Sequence, residues 1–172
     1  MHISRIVIRN FRNLPHIDLN IEDGVTCFVG ENNSGKSNLF YALRLVLDGT
    51  MSAARRRLNP EDFSAGRTFV RPEHVLISVE FRGFAGNEVQ EALPFGGIVA
   101  EDRARITYRF RPNAKIRAEV ENEPDLPVVL ELDDYRWELV GGGPENIDFG
   151  TITWNQNFGQ PFSTEHLQQG YL

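Results

Sequence analysis

The chain has 172 residues, 41% of them hydrophobic, and a formal net charge of −6. This describes one globular domain, or one and a part, and excludes a surface that coats nucleic acid by bulk charge. No stretch approaches the roughly eighteen uninterrupted apolar residues of a membrane span, and Met1-His2-Ile3-Ser4-Arg5 lacks a signal-peptide core, so a cytoplasmic protein without a membrane partner is expected.

The charge is unevenly spread: residues 1–60 balance at +3 and residues 61–172 at −9, which joins a phosphate-attracting first third to an acidic remainder. Ile3–Ile8 reads as a first strand, and Ile17, Leu19 and Ile21 alternate on one face of a second, so the two are expected to pair as a hairpin across Arg9–Pro15. Gly24–Val29 is short and almost wholly apolar, which predicts a buried strand with Cys27, the only cysteine, as a small buried hydrophobe. A single cysteine excludes disulfides and cysteine metal clusters within the chain.

Gly30-Glu31-Asn32-Asn33-Ser34-Gly35-Lys36-Ser37 then fills every fixed position of the G-x-x-x-x-G-K-[ST] phosphate-binding pattern. Glycines let successive backbone N–H groups converge on phosphate oxygens, and the helix beginning at the loop's end adds its positive dipole. Lys36 supplies a full charge for the β- and γ-phosphates, and the Ser37 hydroxyl is the expected Mg²⁺ ligand. Leu39, Phe40, Leu43, Val46 and Leu47 place an apolar stripe on a helix ending near Asp48-Gly49. Strand, loop and helix in this order favour a true P-loop over a chance Gly/Ser turn.

Met51–Gly66 has no period and is expected to be a surface loop, with Arg55-Arg56-Arg57 solvated in preference to touching DNA. The remainder reads mainly as strands. Val75 to Phe81 and Ile106 to Phe110 alternate, Glu88–Leu93 reads as a short helix, and Pro112-Asn113 turns the chain into a predicted strand at Ile116, Ala118 and Val120. In that hairpin the arginines of 105–111 would form a solvated face paired with Glu119 and Glu121, in preference to a DNA contact. Val128-Leu130-Leu132 and Tyr135-Trp137-Leu139 suggest another pair, and Thr151–Trp154 a further strand. Val128–Asp134 has the outline of a Walker B strand, but Glu131 interrupts the apolar run and Gly141-Gly142-Gly143 lacks the polar context of an ABC signature. No helix carries His and acidic residues at metal-binding spacing, and no nucleophile elbow occurs.

The strand, Asn10-Phe11-Arg12 turn, second strand and P-loop resemble the N-terminus of the RecF/SMC branch of ABC-type ATPase heads. Within that branch, Tyr41–Gly49 and Asn59-Pro60-Glu61-Asp62-Phe63 look most like the OLD (overcoming lysogenization defect) family, whose members join an ABC ATPase domain to a C-terminal Toprim nuclease and include the Gabija nuclease subunit of anti-phage defence. The strongest resemblance covers residues 3–63. It implies an α/β P-loop NTPase fold: the N-terminal lobe of an ABC head, with a mixed, largely antiparallel sheet packed on the P-loop helix.

The division expected by this resemblance is hairpin, P-loop and helix over 1–50, a loop region over 51–74, a β-rich region over 75–155 and a possible Q-loop region over 156–172. ATP and Mg²⁺ are the implied ligands. The implied nucleotide set is Arg12, Asn32, Asn33, Ser34, Gly35, Lys36, Ser37, Asn38 and Asp62, with Arg12 reaching phosphates and Asp62 near the ribose or base. Leu167–Tyr171 resembles a Q-loop that would bring Gln169 to Mg²⁺ beside Ser37, although a polar helix end closed by Gly170 explains the same residues. A homodimer or higher homo-oligomer and DNA, engaged through a longer protein, are the implied partners. Two alternatives stay open: a complete small P-loop kinase using 128–134 as Walker B, and a nucleotide-gated binding module that never hydrolyses ATP.

Overall fold

The computed structural model describes residues 1–64, 73–86, 96–122 and 130–162. Its centre is an antiparallel sheet. Strands β1 (His2–Phe11) and β2 (Leu14–Asn20) form the expected hairpin, pairing Ile6 with Leu19 and Ile8 with Ile17. Asn10 and Arg12 take left-handed backbone angles, φ 59° and 47°, so the two-residue connection can reverse the chain tightly. β3 (Val75–Arg82) joins the other edge of β1, followed by β5 (Arg103–Pro112), β6 (Tyr135–Gly141) and the short β7 (Gln160–Pro161). β4 (Ile98–Ala100) pairs beside the start of β5.

Helix α1 (Lys36–Leu47) lies on one face of this sheet. Leu39, Ala42, Leu45 and Val46 are its buried residues, and they pack with Ile6, Ile8, Ile77, Val79, Tyr108 and Phe110. The expected stripe was therefore partly misplaced: Phe40 is 54% exposed, because the helix turns Ala42 and Leu45 toward the sheet. The end of α1 is closed from a distance. Arg56, in the one-turn helix α2 (Ala53–Arg56), is buried and donates to the carbonyls of Leu45, Asp48 and Met51. A cation at a helix C-terminus meets both the unpaired carbonyls and the negative end of the dipole. The basic triplet is thus divided: Arg56 lies in the core, Arg57 pairs with Asp133, and Arg55 stays at the surface.

The predicted strand Gly24–Val29 is absent. A strand needs neighbours to take its backbone hydrogen bonds, and among the described residues no strand lies alongside it. Val25 and Val29 are 95% and 93% exposed, and Cys27 is exposed as well, contrary to its expected burial.

The opposite sheet face also departs from expectation. β3 and β5 are buried on both faces, because residues 142–159 cross the second face as an irregular strap. Phe149, Ile152 and Phe158 of the strap pack on Val7, Leu76 and Val140. The arginines between these apolar residues are capped, not solvated. Arg105 donates to the carbonyls of Gly142, Pro144 and Glu145, Arg109 to those of Thr153, Trp154 and Gln156, and Arg111 to those of Trp154 and Gln156. Their carboxylate partners are Glu80 and Glu138, in place of the predicted Glu119 and Glu121. Burial, then repulsion from Arg111, pulls the Arg109 guanidinium down to about 9. Thr151–Trp154 belongs to this strap and forms no strand.

The predicted strand at 116–120 is helix α3 (Ala114–Asn122). Asn113 accepts from the amides of Lys115 and Ile116 with its side chain, and Lys115 faces Glu119 one turn on, so a capped, charge-paired helix replaces the hairpin. Residues 132–134 form a 3₁₀ turn where the Walker B outline would need a strand, with Asp134 accepting from the Glu131 amide. The predicted helix at 88–93, residues 128–129 and the Q-loop reading with Gln169 lie outside the described residues. Among the described residues no helix is long and apolar enough to cross a membrane.

Candidate nucleotide site

Gly35, at φ 99° and buried, makes the turn that starts α1, and the Leu39 amide donates back to its carbonyl at 2.8 Å. A Cβ at Gly35 would sit 3.0 Å from both Asn13 Oδ1 and Leu14 Cδ2, and one at Gly30 would meet Ser34 Oγ at 2.7 Å. At Gly30 the Ser34 side chain would have to move aside, whereas Gly35 requires the left-handed angle itself. Asn33 is left-handed too, at φ 68°. The loop therefore curls over the first turn of α1, and with the β1–β2 turn it bounds a cleft of about 470 Å³ lined by Asn13, Asn32, Asn33, Gly35, Lys36, Ser37 and Asn38.

Lys36 Nζ turns back onto the loop, donating to the carbonyls of Gly30 and Glu31 at 2.5 and 2.7 Å and to Ser34 Oγ at 3.3 Å. An ammonium has three donors and no acceptor, so each finds an oxygen here that a phosphate oxygen could replace. Ser37 is exposed on the first turn of α1 beside it.

Arg12 stands at the edge of this cleft. Its Nε donates to Asp62 Oδ1 at 2.8 Å, its Nη1 to Asn38 Oδ1 at 2.9 Å, and its guanidinium lies 4.5 Å from the centre of the Tyr41 ring. Asp62 is buried. Besides Arg12, it accepts from the Asn59 amide, which closes the 3₁₀ turn Pro60–Asp62, and its carbonyl accepts from the Arg12 amide. In this structure the carboxylate is thus engaged by Arg12 and the turn, away from the lining of the cleft. Asn13, which sequence reading did not single out, donates to the Asn33 carbonyl at 3.2 Å and accepts from Asn38 at 2.8 Å. The signal available was its place directly after Arg12 in the Asn-Phe-Arg turn.

Asp133 and Asp134 lie outside this constellation, on a surface turn where Asp133 pairs with Arg57. Among the described residues that line the cleft, none is Asp or Glu. Among the described residues, no group of three or more His, Cys, Asp or Glu side chains is placed to hold a metal. An Mg²⁺ ion here would fit Ser37 together with phosphate oxygens and water, the donor set this hard ion prefers.

A P-loop at the head of a helix that packs on an antiparallel sheet defines a P-loop ATPase fold of the SMC and RecF type. The chain belongs to the AAA ATPase domain family, whose pattern it matches over residues 1–134. It is 48% identical over 144 residues to the DNA replication and repair protein RecF of Nitrosococcus oceani, an alignment covering 84% of this chain and 35% of that protein. Against RecF of Listeria welshimeri it is 38% identical over 63 residues, which cover 37% of this chain and 16% of the relative. It spans roughly a third or less of these relatives. A solved SMC ATPase structure, described in terms of ATP-driven dimerization and DNA-stimulated activation, superposes with a TM-score of 0.51 at 19% identity, covering 98% of this chain and 76% of that one.

Proposed function

We propose that this chain is the nucleotide-binding lobe of a RecF/SMC-type head, in which Mg-ATP occupies the cleft over the first turn of α1 and its occupancy controls work on DNA. The observation that carries the reading is Lys36 held by three oxygens at the mouth of a curled glycine loop. Asn32, Asn33, Ser34 and Gly35 would present backbone amides to the phosphates, Lys36 would exchange its loop oxygens for β- and γ-phosphate oxygens, and Ser37 would ligate Mg²⁺. Arg12 would add a second cation from the turn, with Asn38 and Asp62 beside it. A homodimer that sandwiches the nucleotide is the partner arrangement this class of head implies.

Calorimetry with Mg-ATP tests the reading. Wild-type chain should bind, and Lys36→Ala, while remaining folded, should lose about 2–3 kcal/mol, the scale of a charge-assisted contact in a partly desolvated site. Equal affinity in the two proteins would show that the loop does not hold triphosphate.

The OLD-like version, in which a Toprim nuclease follows and the whole acts in anti-phage defence, draws on the 41–49 and 59–63 resemblances. RecF relatives favour a DNA-repair setting instead. The next few hundred residues of the natural reading frame distinguish them: an acidic Toprim signature supports the nuclease, and a RecF-like continuation removes it.

A further inference from the structure

Three side chains, joined by four hydrogen bonds, connect Asp62 to the P-loop in an unbroken line. Arg12 Nε donates to Asp62 Oδ1, Arg12 Nη1 to Asn38 Oδ1, Asn38 Nδ2 to Asn13 Oδ1, and Asn13 Nδ2 to the carbonyl of Asn33. The two ends determine the sense of the middle. A guanidinium has no acceptor, so Asn38 must turn its oxygen toward Arg12; a carbonyl has no donor, so Asn13 must turn its NH₂ toward Asn33. Only one orientation of both amides satisfies all the bonds, and flipping either one sets oxygen against oxygen or NH₂ against NH₂.

The line ends on a residue whose backbone needs support. Asn33 is at φ 68°, an angle that a non-glycine residue adopts at a cost, and its carbonyl is held by Asn13. Two residues on, a Cβ at Gly35 would come within 3.0 Å of Asn13 Oδ1 and Leu14 Cδ2, and its φ of 99° would strain any other residue. The turn carrying Arg12 and the loop carrying Lys36 are therefore held in register through amide side chains.

We propose that Asn13 is a positioning residue of the nucleotide site, acting through Asn38 as a one-way hydrogen-bond relay that couples the Arg12–Asp62 pair to the curl of the P-loop. This rests on the reading of the cleft as an ATP site only for its effect on ATP. The bonds of the relay itself run from protein to protein. Asn13 is exposed, so its truncation leaves no buried cavity, and a role limited to general stability would leave nucleotide affinity unmoved.

Two measurements on the 172-residue chain separate the possibilities. In the absence of nucleotide, Asn13→Ala should speed amide hydrogen exchange at Ser34 and Gly35 by tenfold or more, with the rate at Val79 in the core unchanged. With Mg-ATP, Asn13→Ala and Asn38→Ala should each weaken binding about fivefold to tenfold, and the double variant no more than the weaker single, because each breaks the same line. Thermal midpoints, read in parallel, should stay close to wild type. Unchanged exchange at Ser34 and Gly35 would overturn the relay whatever ATP does, as would strictly additive losses of affinity. Faster exchange in a chain whose wild type binds no ATP would support the relay and overturn the ATP site.

Discussion

Arg12 shows how much one residue can depend on partners far away in sequence. The P-loop was legible because its signal is local: glycines where the backbone must curl, and one of only two lysines in the chain where a compact cation is needed. That Arg12 would be set by Asp62, fifty residues on, could not be read from either residue alone, since any surface loop carries aspartates. With Nε and Nη1 engaged by Asp62 and Asn38, the guanidinium is oriented by protein partners. If Arg12 reaches the outer phosphates as proposed, Arg12→Ala should weaken ATP more than AMP. Titration of both ligands checks it, and equal losses would reduce Arg12 to a support for the turn. His74 makes a prediction of a different kind. Burial, then the neighbouring charges of Arg109, Arg9 and Arg111, push its imidazole down to about 3, and its Nε2 has no hydrogen-bond partner among the described residues. The folded state thus holds His74 neutral while the unfolded chain takes up a proton below about 6.5. Stability from this group is complete above that pH and falls as pH drops toward 3. Between pH 7.5 and 5.5 the loss should be about 1.4 kcal/mol, and denaturant titrations of His74→Gln should show that part of the slope gone.

At the scale of elements, alternation in β1, β2, β3 and β5 located the strands but misjudged what their second face meets. Arg105, Arg109 and Arg111, with Thr107 between them on the same face, read as a solvated face when each strand is considered alone, since guanidinium burial is rare. What reverses it is the strap, whose Phe149, Ile152 and Phe158 fill the gaps while its carbonyls take the guanidinium donors. An irregular segment has no period, so the sequence holds no pattern that announces it. Residues 114–122 failed for another reason: Ile116, Ala118 and Val120 fit a strand by period, yet the Asn113 cap and the Lys115–Glu119 pair decide for helix. Arg56 offers the sharpest test at this level. Its buried guanidinium serves three carbonyls at and just beyond the end of α1. Arg56→Met should destabilise the fold by about 2–4 kcal/mol by leaving those carbonyls unpaired, whereas Arg55→Ala at the surface should change stability by less than about 0.5 kcal/mol. Chemical denaturation of the two variants compares them directly; similar losses would mean that the carbonyls find other donors.

For the molecule as a whole, the telling feature is what surrounds the P-loop. The segment that leads into it, 24–29, has no strand beside it among the described residues and exposes Val25 and Val29, and Phe40 of α1 lies open nearby with its ring 6.1 Å from that of Phe28. The cleft itself offers a lysine, a hydroxyl and amides, with no carboxylate among the described residues that line it. Phosphoryl transfer to water needs more than this. The attacking water must be oriented and the metal held from a second side, and groups that only bind the ground state leave the chemical step no faster. Asp133 and Asp134, the sequence-level candidates for that second side, are occupied at a surface turn by Arg57 and by the turn's own amide. The expected outcome is a chain that binds Mg-ATP weakly, releases phosphate no faster than its Lys36→Ala variant and cuts no DNA. Phosphate release across a protein titration decides it, since dimer-dependent turnover would rise more steeply than the protein concentration. Robust release that disappears in Lys36→Ala would show that this chain carries its own hydrolytic groups. The search for them would then begin with the carboxylates nearest Ser37 in the nucleotide-bound state.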